Sequence, residues 1–367
     1  MHSTSEHSKL FPSPTNAKHG APSVRAVFGF QTALQIHRSM TDPSLKGPSR
    51  HSSLPGGCAQ ERLLRTCSAR IPRTALSDAT LESLFAQLRE RHPHLAFSQP
   101  AHLLISGGRR HSTPAAVAHS CTSPIPIRAL LRLGEEAAIA SPNLALCQLA
   151  STQMSFIGLL LMLWEACGTY CTRRTGLRTD KDPLLEAKPL TSTRSLKAFC
   201  SRNSHLRGSR KIERCLKYVA DGSASPRETQ LALLFGLPER YGGWNLGIPR
   251  MNQEVAASEK AFAIAGRRSF RCDLCWQEAR LDVEYQSDQE HQGEVMRISD
   301  SRRTNALASM GWTVIGITNS EATGLSSLAT VANSIRKRLG KRVRKNVCDL
   351  SDRRLELCQN LGLVPFW

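Results

Sequence analysis

The clearest constraint in this sequence is a fixed order of helical and extended periodicities between residues 221 and 340. Apolar residues recur every three or four positions in a helix and every second position in a half-buried strand. On this basis the segment predicts the order helix, strand, strand, strand, helix, strand, helix. Such an order predicts an α/β (α+β) domain with a mixed sheet flanked by helices.

One predicted strand carries acidic side chains on a single face. In the segment 281–286 apolar and polar residues alternate, and successive side chains of a strand point to opposite faces. Glu284 therefore shares a face with Asp282, and Asp273 lies on the preceding strand of the same hairpin. Two carboxylates on adjacent strands suit a hard divalent cation, which prefers oxygen ligands. The alternative for Asp273 and Asp282 is that each is a solvent-facing strand residue.

A third carboxylate, Glu228, lies at the start of the helix that opens this segment. It follows Ser225 by three residues, in the spacing of a capping box. In that pattern the glutamate has a local structural use. The sequence therefore leaves two interpretations of Glu228 open, a helix cap and a third member of the acidic site.

These motifs together carry a resemblance to a known family. The stretch from Ser225 to Thr318, about a third of the chain, resembles the PD-(D/E)XK nuclease superfamily, and within it the very-short-patch-repair-like (Vsr-like) endonuclease domains of bacterial proteins. The matching motifs, in order, are SPRETQLALLFGLP with Glu228, RCDLCW with Asp273, LDVEYQS with Glu284, the following His291, SDSRRTNAL with Asp300, Arg303 and Leu307, and GWTVIGIT.

The resemblance implies a restriction-endonuclease-like fold and DNA hydrolysis that depends on Mg²⁺ (or Mn²⁺). Asp273 and Glu284 would hold the metal ion. The implied catalytic set is Glu228, Asp273, Glu284, Gln286 and His291. His291 would be a general acid or base, with a solvated loop residue as the alternative. Arg303 would contact a phosphate or pair with Asp300, although an Asp–Arg pair three residues apart is also ordinary on a helix.

The chain departs from the family pattern at Gln286. The superfamily usually has lysine there, this subgroup often has aspartate, and Ser287 replaces the glycine that follows. Glutamine cannot act as a cation or as a base, although it can orient a water molecule. The alternative function is therefore a non-catalytic DNA-binding regulator, or an antitoxin-like protein that retains the nuclease fold.

The charge balance favours a polyanionic partner. The chain has 49 Lys and Arg against 30 Asp and Glu, a net charge of +19, which favours DNA before a membrane, with an RNA-binding module as a further alternative. No apolar run reaches 18 residues, so we expect no membrane partner. Residues 171–217 are strongly basic, which is compatible with a solvated linker and helix or with a phosphate-contacting surface. In the segment 336–345 the residues expected to contact a DNA backbone, unless the tail is merely solvated, are Arg336, Lys337, Lys341 and Arg342.

The rest of the chain predicts a succession of less regular units. Residues 24–36 could form a short-lived element. Helices are expected to begin at Ser77 and at Ser141, where serine is the cap and Pro142 the first helical residue. Residues 77–200 show a faint similarity to abortive-infection antitoxin-type regulators. The predicted units are a disordered low-complexity segment at 1–70, a mostly helical, winged-helix-like domain at 71–200, a basic helix or linker at 201–220, the endonuclease-like domain at 221–340 and a basic tail at 341–367.

The twelve cysteines are scattered without a repeating interval. This spacing favours free thiols and a cytoplasmic location. Cys272 and Cys275 form one CxxC pair, but a structural zinc needs four ligands and no second pair follows. In an extended strand the two cysteines would also point to opposite faces, so we expect no structural zinc. The sequence leaves a protein partner or a homodimer open.

Overall fold

The computed structural model shows a mixed α/β protein with two main sheets, one short two-stranded sheet and helices that cover them. The residues described are 24–41, 65–108, 111–286, 294–342 and 350–364, with the backbone alone at 294–297. The α/β class predicted from the sequence is confirmed.

Strands and helices are distributed along the whole described chain. The strands are β1 (Ala26–Phe28), β2 (Ala101–Ile105), β3 (His111–Ser112), β4 (Ala116–Ser120), β5 (Leu130–Leu133), β6 (Ala137–Ala140), β7 (Tyr170–Cys171), β8 (Leu184–Leu185), β9 (Arg250–Ala256), β10 (Ser269–Trp276), β11 (Leu281–Gln286) and β12 (Thr313–Thr318). The α-helices are α1 (Phe30–Thr41), α2 (Asp78–Arg91), α3 (Pro142–Ala150), α4 (Phe156–Cys167), α5 (Thr193–Arg202), α6 (Ser209–Leu216), α7 (Pro226–Gly236), α8 (Glu259–Ala265), α9 (Glu294–Ser309), α10 (Asn319–Thr323), α11 (Leu325–Arg338) and α12 (Ser351–Leu361).

The C-terminal sheet has the strand order β12-β11-β10-β9. Neighbours β9, β10 and β11 are antiparallel, whereas β11 and β12 are parallel and are connected through α9. Helix α7 comes first, and the predicted helices and strands follow in the predicted order with two short helices added between them, α8 and α10. The seven-residue helix α8 between β9 and β10 was not predicted, because two turns are too short to produce a clear period. This sheet carries Asp273 on β10 and Glu284 on β11.

The N-terminal sheet corrects the prediction of disorder for residues 24–41; the other residues of the 1–70 segment up to 64 lie outside the described residues. Its strand order is β3-β4-β2-β1-β6-β5, so β1 lies inside the sheet, antiparallel to β2 and parallel to β6. All three residues of β1 are buried, and so is Ile36 of the following helix α1. A three-residue strand is too short for periodicity to identify, since its pairing partners lie far away in the sequence.

Arg38 of α1 is buried because its guanidinium group bonds to backbone carbonyls more than 100 residues later in the chain. Arg38 is 4% exposed and donates to the carbonyls of Glu165 (2.7 Å), Tyr170 (3.1 Å) and Lys188 (2.7 Å). A buried cation is tolerated when hydrogen bonds replace its water. Helix α1 thus lacks the polar outer face of an ordinary surface helix, and its sequence resembles that of a disordered segment.

Residues 71–200 are not the mostly helical, winged-helix-like domain that was predicted. Five of the six strands of the N-terminal sheet, β2 to β6, lie here, between α2 and α3. Each has only two to five residues, so an apolar period is hard to distinguish from a loop. The caps were more informative: Ser77 begins α2, and Ser141 followed by Pro142 begins α3, as predicted.

The basic segment at 201–220 is neither one helix nor a linker. Helices α5 and α6 are separate and pack on each other. Residues 203–208 join them. At Gly208, the last of these, a Cβ atom would come within 1.9 Å of the carbonyl oxygen of Cys147 on α3. Glycine allows this close approach of two backbones, and the turn breaks the helix that the sequence predicted to be continuous.

One apolar core joins the two halves of the chain. It contains Trp164 of α4, Phe235 of α7, Val283 of β11 and Leu361 of α12, all at most 1% exposed. The segment at 341–367 is therefore more than a basic tail, because α12 packs against α4 and α7. The apolar face of α12 was missed because its sequence is dominated by charged and polar residues.

The described helices are short relative to a bilayer. Helix α4, the most apolar of them, has 12 residues, whereas a membrane span needs about 20. None of the helices in the described ranges has the length and apolar character needed to cross a membrane. The ten described cysteines are free thiols, in agreement with the sequence prediction.

Replacing Ile36 with alanine tests whether α1 belongs to the core. Ile36 is 0% exposed, so we expect Ile36→Ala to lower the free energy of unfolding by about 2–5 kcal/mol. The matched control is Ile127→Ala, because Ile127 is 92% exposed and should change it by less than about 0.5 kcal/mol. Urea denaturation measures both. Equal, small effects would mean that residues 24–41 do not pack in solution.

Candidate active site

Glu228 lies in the first turn of α7 and is held through both carboxylate oxygens. Ser225 Oγ accepts a hydrogen bond from the Glu228 backbone N–H (3.2 Å) and donates one to Glu228 Oε1 (3.0 Å). Glu228 Oε2 accepts from the backbone N–H of Ala224 (3.0 Å) and from the side-chain amide of Asn252 on β9 (2.6 Å). Glu228 therefore caps its helix and also connects α7 to the sheet, so both of its interpretations remain compatible with the structure.

Asp273 lies where the regular alternation of β10 is interrupted. Phe270 and Cys272 pack in a cluster with residues of α8 and α9, whereas Leu274 packs in the large core on the other face. Residues two apart share a face in a regular strand, so the chain changes faces at Asp273. On β9, Asn252 lies between the partners of Cys272 and Leu274 and has φ of +48°. Asparagine tolerates this left-handed conformation better than most residues.

The change of face at Asp273 brings Cys272 and Cys275 into one cluster. The prediction that they point to opposite faces is therefore wrong. Their side-chain contact raises the pKa of Cys272 and lowers the pKa of Cys275. Among the described residues no group of three or more His, Cys, Asp or Glu side chains is arranged to hold a metal ion. The absence of structural zinc stays a prediction.

Asp273 is half-buried and lies among other carboxylates. Its Oδ2 accepts a hydrogen bond of 3.4 Å from the backbone N–H of Tyr285 on the adjacent strand. Removal from water raises the pKa of Asp273 to about 7, and the negative charges of Glu228 and Glu284 add to the rise. The three predicted carboxylates are thus close enough to interact electrostatically. A carboxyl group that titrates near neutral pH is characteristic of functional sites.

Asp282 is fully buried, so the interpretation that it faces solvent is wrong. Its Oδ2 accepts a hydrogen bond from Arg303 at 3.3 Å, and Oδ1 has no hydrogen-bond partner among the described residues. Burial raises the pKa of Asp282 to about 9, the neighbouring Glu284 carboxylate adds to the rise, and the positive charge of Arg303 opposes it. Burial therefore favours the neutral form of Asp282, whereas the contact with Arg303 favours its ionised form.

Arg303 of α9 turns inward, toward the acidic residues. Its guanidinium group contacts both Asp282 and Glu284 and donates to the Arg271 carbonyl at 2.5 Å. Burial alone would lower the pKa of Arg303, but the charges of Glu284 and Asp282 outweigh it and the net shift is upward. The predicted pairing with Asp300 is wrong, because Arg303 bonds to the carboxylates of β11 while Asp300 is exposed on α9.

Gln286 ends β11 and lies to one side of the acidic residues. Its amide covers Gly316 of β12, where a Cβ atom would come within 2.9 Å of Gln286 Nε2. Strand β12 borders β11 on the side away from β10, which carries Asp273. Gly316 is the strand partner of Glu284, so the role of Gln286 in orienting a water molecule stays a prediction. His291 lies outside the described residues.

The predicted DNA-contacting cations near the end of α11 divide into two pairs. Arg336 donates to a backbone carbonyl of the 244–245 loop at 3.3 Å, and Lys341 Nζ donates to the other at 3.1 Å. Both therefore hold α11 and the residues after it against the domain. Lys337 and Arg342 are exposed and remain available to a phosphate backbone.

Sequence reasoning missed the contribution of β9 to the site. Arg271 Nε donates to Asn252 Oδ1 at 2.7 Å, and the Asn252 amide reaches Glu228. A chain of side chains therefore crosses from β10 through β9 to α7. Arg271 stands two residues before Asp273 in the motif RCDLCW, which was a usable signal. Asn252 lies in a stretch that matches no motif.

No protein-family model, curated protein or solved structure matches this chain. Its resemblance to the PD-(D/E)XK superfamily therefore stays a prediction. The interpretation of the site depends on the contacts described above.

The raised pKa of Asp273 predicts that this side chain destabilises the metal-free protein at high pH. The unfolded chain releases this proton near pH 3.8 and the folded chain near pH 7, so stability falls as pH rises through this window. In EDTA, we expect Asp273→Asn to be more stable than the parent at pH 8 by about 1 kcal/mol or more, and to lose that advantage toward pH 4.

Urea denaturation at several pH values measures this difference. The control is Glu278→Gln, since Glu278 is 85% exposed in the turn between β10 and β11 and contacts Arg250. The effect of Glu278→Gln on the free energy of unfolding should not vary with pH in the same window. A pH-independent effect of Asp273→Asn would show that Asp273 has an ordinary pKa.

Proposed function

We propose that this protein is a Mg²⁺-dependent DNA endonuclease with a Vsr-like PD-(D/E)XK domain at residues 221–340. The observation that carries the proposal is the meeting of Asp273, Glu284 and Glu228. They come from two adjacent strands and from the helix that precedes the sheet, in the order that the resemblance implies. Such a meeting of carboxylates disfavours the metal-free fold, so a bound cation would relieve it.

The donor set fits Mg²⁺ better than it fits a metal that needs a protein cage. Mg²⁺ is usually bound by one or two carboxylates together with waters and substrate phosphates. Asp273 and Glu284 would be those carboxylates. Bound there, Mg²⁺ would polarise the phosphodiester and lower the pKa of the attacking water.

Other residues of the site would support these two ligands. Glu228 is fixed by Ser225 and Asn252 and keeps negative charge next to Asp273. Arg303 of α9 holds Glu284 on the face of β11 that α9 covers. When the cation is present, Arg303 can transfer its pairing to a substrate phosphate, since guanidinium groups bind carboxylates and phosphates alike.

The charge of the chain supports DNA as the substrate. A net charge of +19 favours a polyanion and fast association with it. Lys337 in the last turn of α11 and Arg342 just after the helix are exposed. The phosphate backbone of DNA would contact them there. Free thiols at all ten described cysteines support a cytoplasmic location as part of this proposal.

Cleavage of supercoiled plasmid and of short duplexes tests the hydrolytic activity. With Mg²⁺ or Mn²⁺ we expect the full-length parent to cut and EDTA to abolish cutting. Asp273→Asn and Glu284→Gln remove one charge each without changing shape, and should lower the rate at least about a hundredfold, because each removes a metal ligand. Glu278→Gln is the matched control and should cut at the parental rate. Equal cutting by all variants would point to a contaminating nuclease.

A second candidate function is DNA binding without hydrolysis, as in a regulator or antitoxin-like protein. Arg303 on Glu284 favours it, because a side-chain cation then occupies the acidic site. Glutamine at position 286, where the superfamily usually has lysine, favours it as well. For this function we expect no cutting by the parent, and salt-sensitive DNA binding in EDTA that Asp273→Asn leaves unchanged. Neither cutting nor binding would contradict both functions.

A further inference from the structure

Helices α5 and α6 form a pair with an apolar inner side. Leu196 of α5 and Ile212 and Cys215 of α6 are at most 1% exposed and belong to the large core. The two helices pack on each other and on α3. The core therefore fixes the positions of both helices, including the backbone atoms that carry the outward side chains.

The outward side of this pair is basic. Arg210 and Arg214 of α6 and Lys217, the capping residue after it, lie within one 60° arc at 100° per residue. This arc is opposite the buried residues of α6. Arg194 and Lys197 lie on the outer side of α5, and all five cations are exposed. We call Arg194, Lys197, Arg210, Arg214 and Lys217 the α5–α6 basic face.

Two carboxylates border this surface, against five cations. Glu213 of α6 accepts a hydrogen bond from Ser201 Oγ at 3.2 Å, and Asp221 accepts two from the backbone N–H and the hydroxyl of Thr193, both at 2.8 Å. Within the described part of the chain, none of the five cations forms a salt bridge. Lys217 lies over the ring of Tyr218 at 5.3 Å, which leaves its charge in water. Like charges held this close together repel, and a polyanion would remove the repulsion.

Charged side chains of both helices line one groove between them. It measures about 500 Å³ and is lined by Arg194, Lys197 and Lys217 together with Glu213. None of the large exposed apolar side chains of the described residues lies on α5 or α6. A membrane-binding surface combines basic residues with apolar side chains that enter the lipid, so this surface fits a polymer of phosphates better than a bilayer.

We propose that the α5–α6 basic face binds the phosphate backbone of double-stranded DNA. It lies in the part of the chain that precedes the endonuclease-like domain, and none of its residues is among those assigned to the acidic site. The surface contributes affinity without sequence preference, because backbone contacts carry no sequence information. The choice of DNA as the polymer rests on the proposed function, whereas the phosphate-binding character rests on the helices alone.

Salt dependence of DNA binding tests this inference, with the full chain in EDTA and a short duplex as the probe. Arg210→Gln, Arg214→Gln and Lys217→Gln are combined, because glutamine keeps the helix while it removes the charge. Three lost phosphate contacts should lower the slope of log K against log salt by about 2.7. Raising salt from 50 to 200 mM should then weaken the parent about 40-fold more than the variant.

Two further variants make the result specific. Combined Arg194→Gln and Lys197→Gln should lower the slope by about 1.8, for two contacts. The control combines Arg65→Gln, Arg70→Gln and Arg73→Gln, three exposed arginines on the segment before α2, and should keep the parental slope. Circular dichroism in the same buffers shows whether each variant is folded.

The outcomes separate this inference from the proposed activity. A parental slope in both α5–α6 variants overturns the inference, and so does an equal loss in the control, because binding would then follow net charge alone. Tighter binding of an RNA duplex than of DNA, with the larger loss on RNA, overturns the choice of DNA. A lowered slope in a protein that cuts no DNA supports this surface while it refutes hydrolysis.

Discussion

The C-terminal domain depends on the balance between crowded carboxyl groups and one buried cation. Strand β11 carries Asp282 and Glu284 on the face covered by α9, and a sheet face that is removed from water cannot hold two negative charges without compensation. The compensation comes from Arg303, which contacts both, and from the raised pKa of Asp282, which reduces its negative charge. This pairing also fixes α9 against the sheet, so the crossover between β11 and β12 has a polar anchor.

The same balance decides how the two candidate functions differ. In the metal-free state Arg303 holds Glu284, and the pKa of Asp273 is raised to about 7. A divalent cation would favour the ionised form of Asp273 and would compete with Arg303 for Glu284. The two functions therefore correspond to two states of one set of charges, and the free energy between them is set by how firmly Arg303 is held.

How far the sequence could predict the structure depended on the range of the interactions. Helix caps at Ser77, Ser141 and Ser225 and the alternation of β11 are local patterns, and the structure confirms them. Strand β1 was missed because three residues become a strand only through distant partners. In the site, the carboxylates were predicted, whereas Asn252 was not, because its relation to Glu228 exists only once β9 is paired. Burial of Asp282 could not be predicted, since alternation shows which face a residue shares but not what covers that face.

The core that links residue 27 to residue 363 has a consequence for synthesis on the ribosome. Strand β1 leaves the ribosome early but pairs with β6, more than 100 residues later, and α12 closes the core near the other end of the described chain. Early segments must therefore wait, with apolar surface exposed, until late segments emerge. Chains with such distant pairings fold slowly and are exposed to aggregation meanwhile, so expression yield should depend on translation rate and on chaperones more than the native stability suggests.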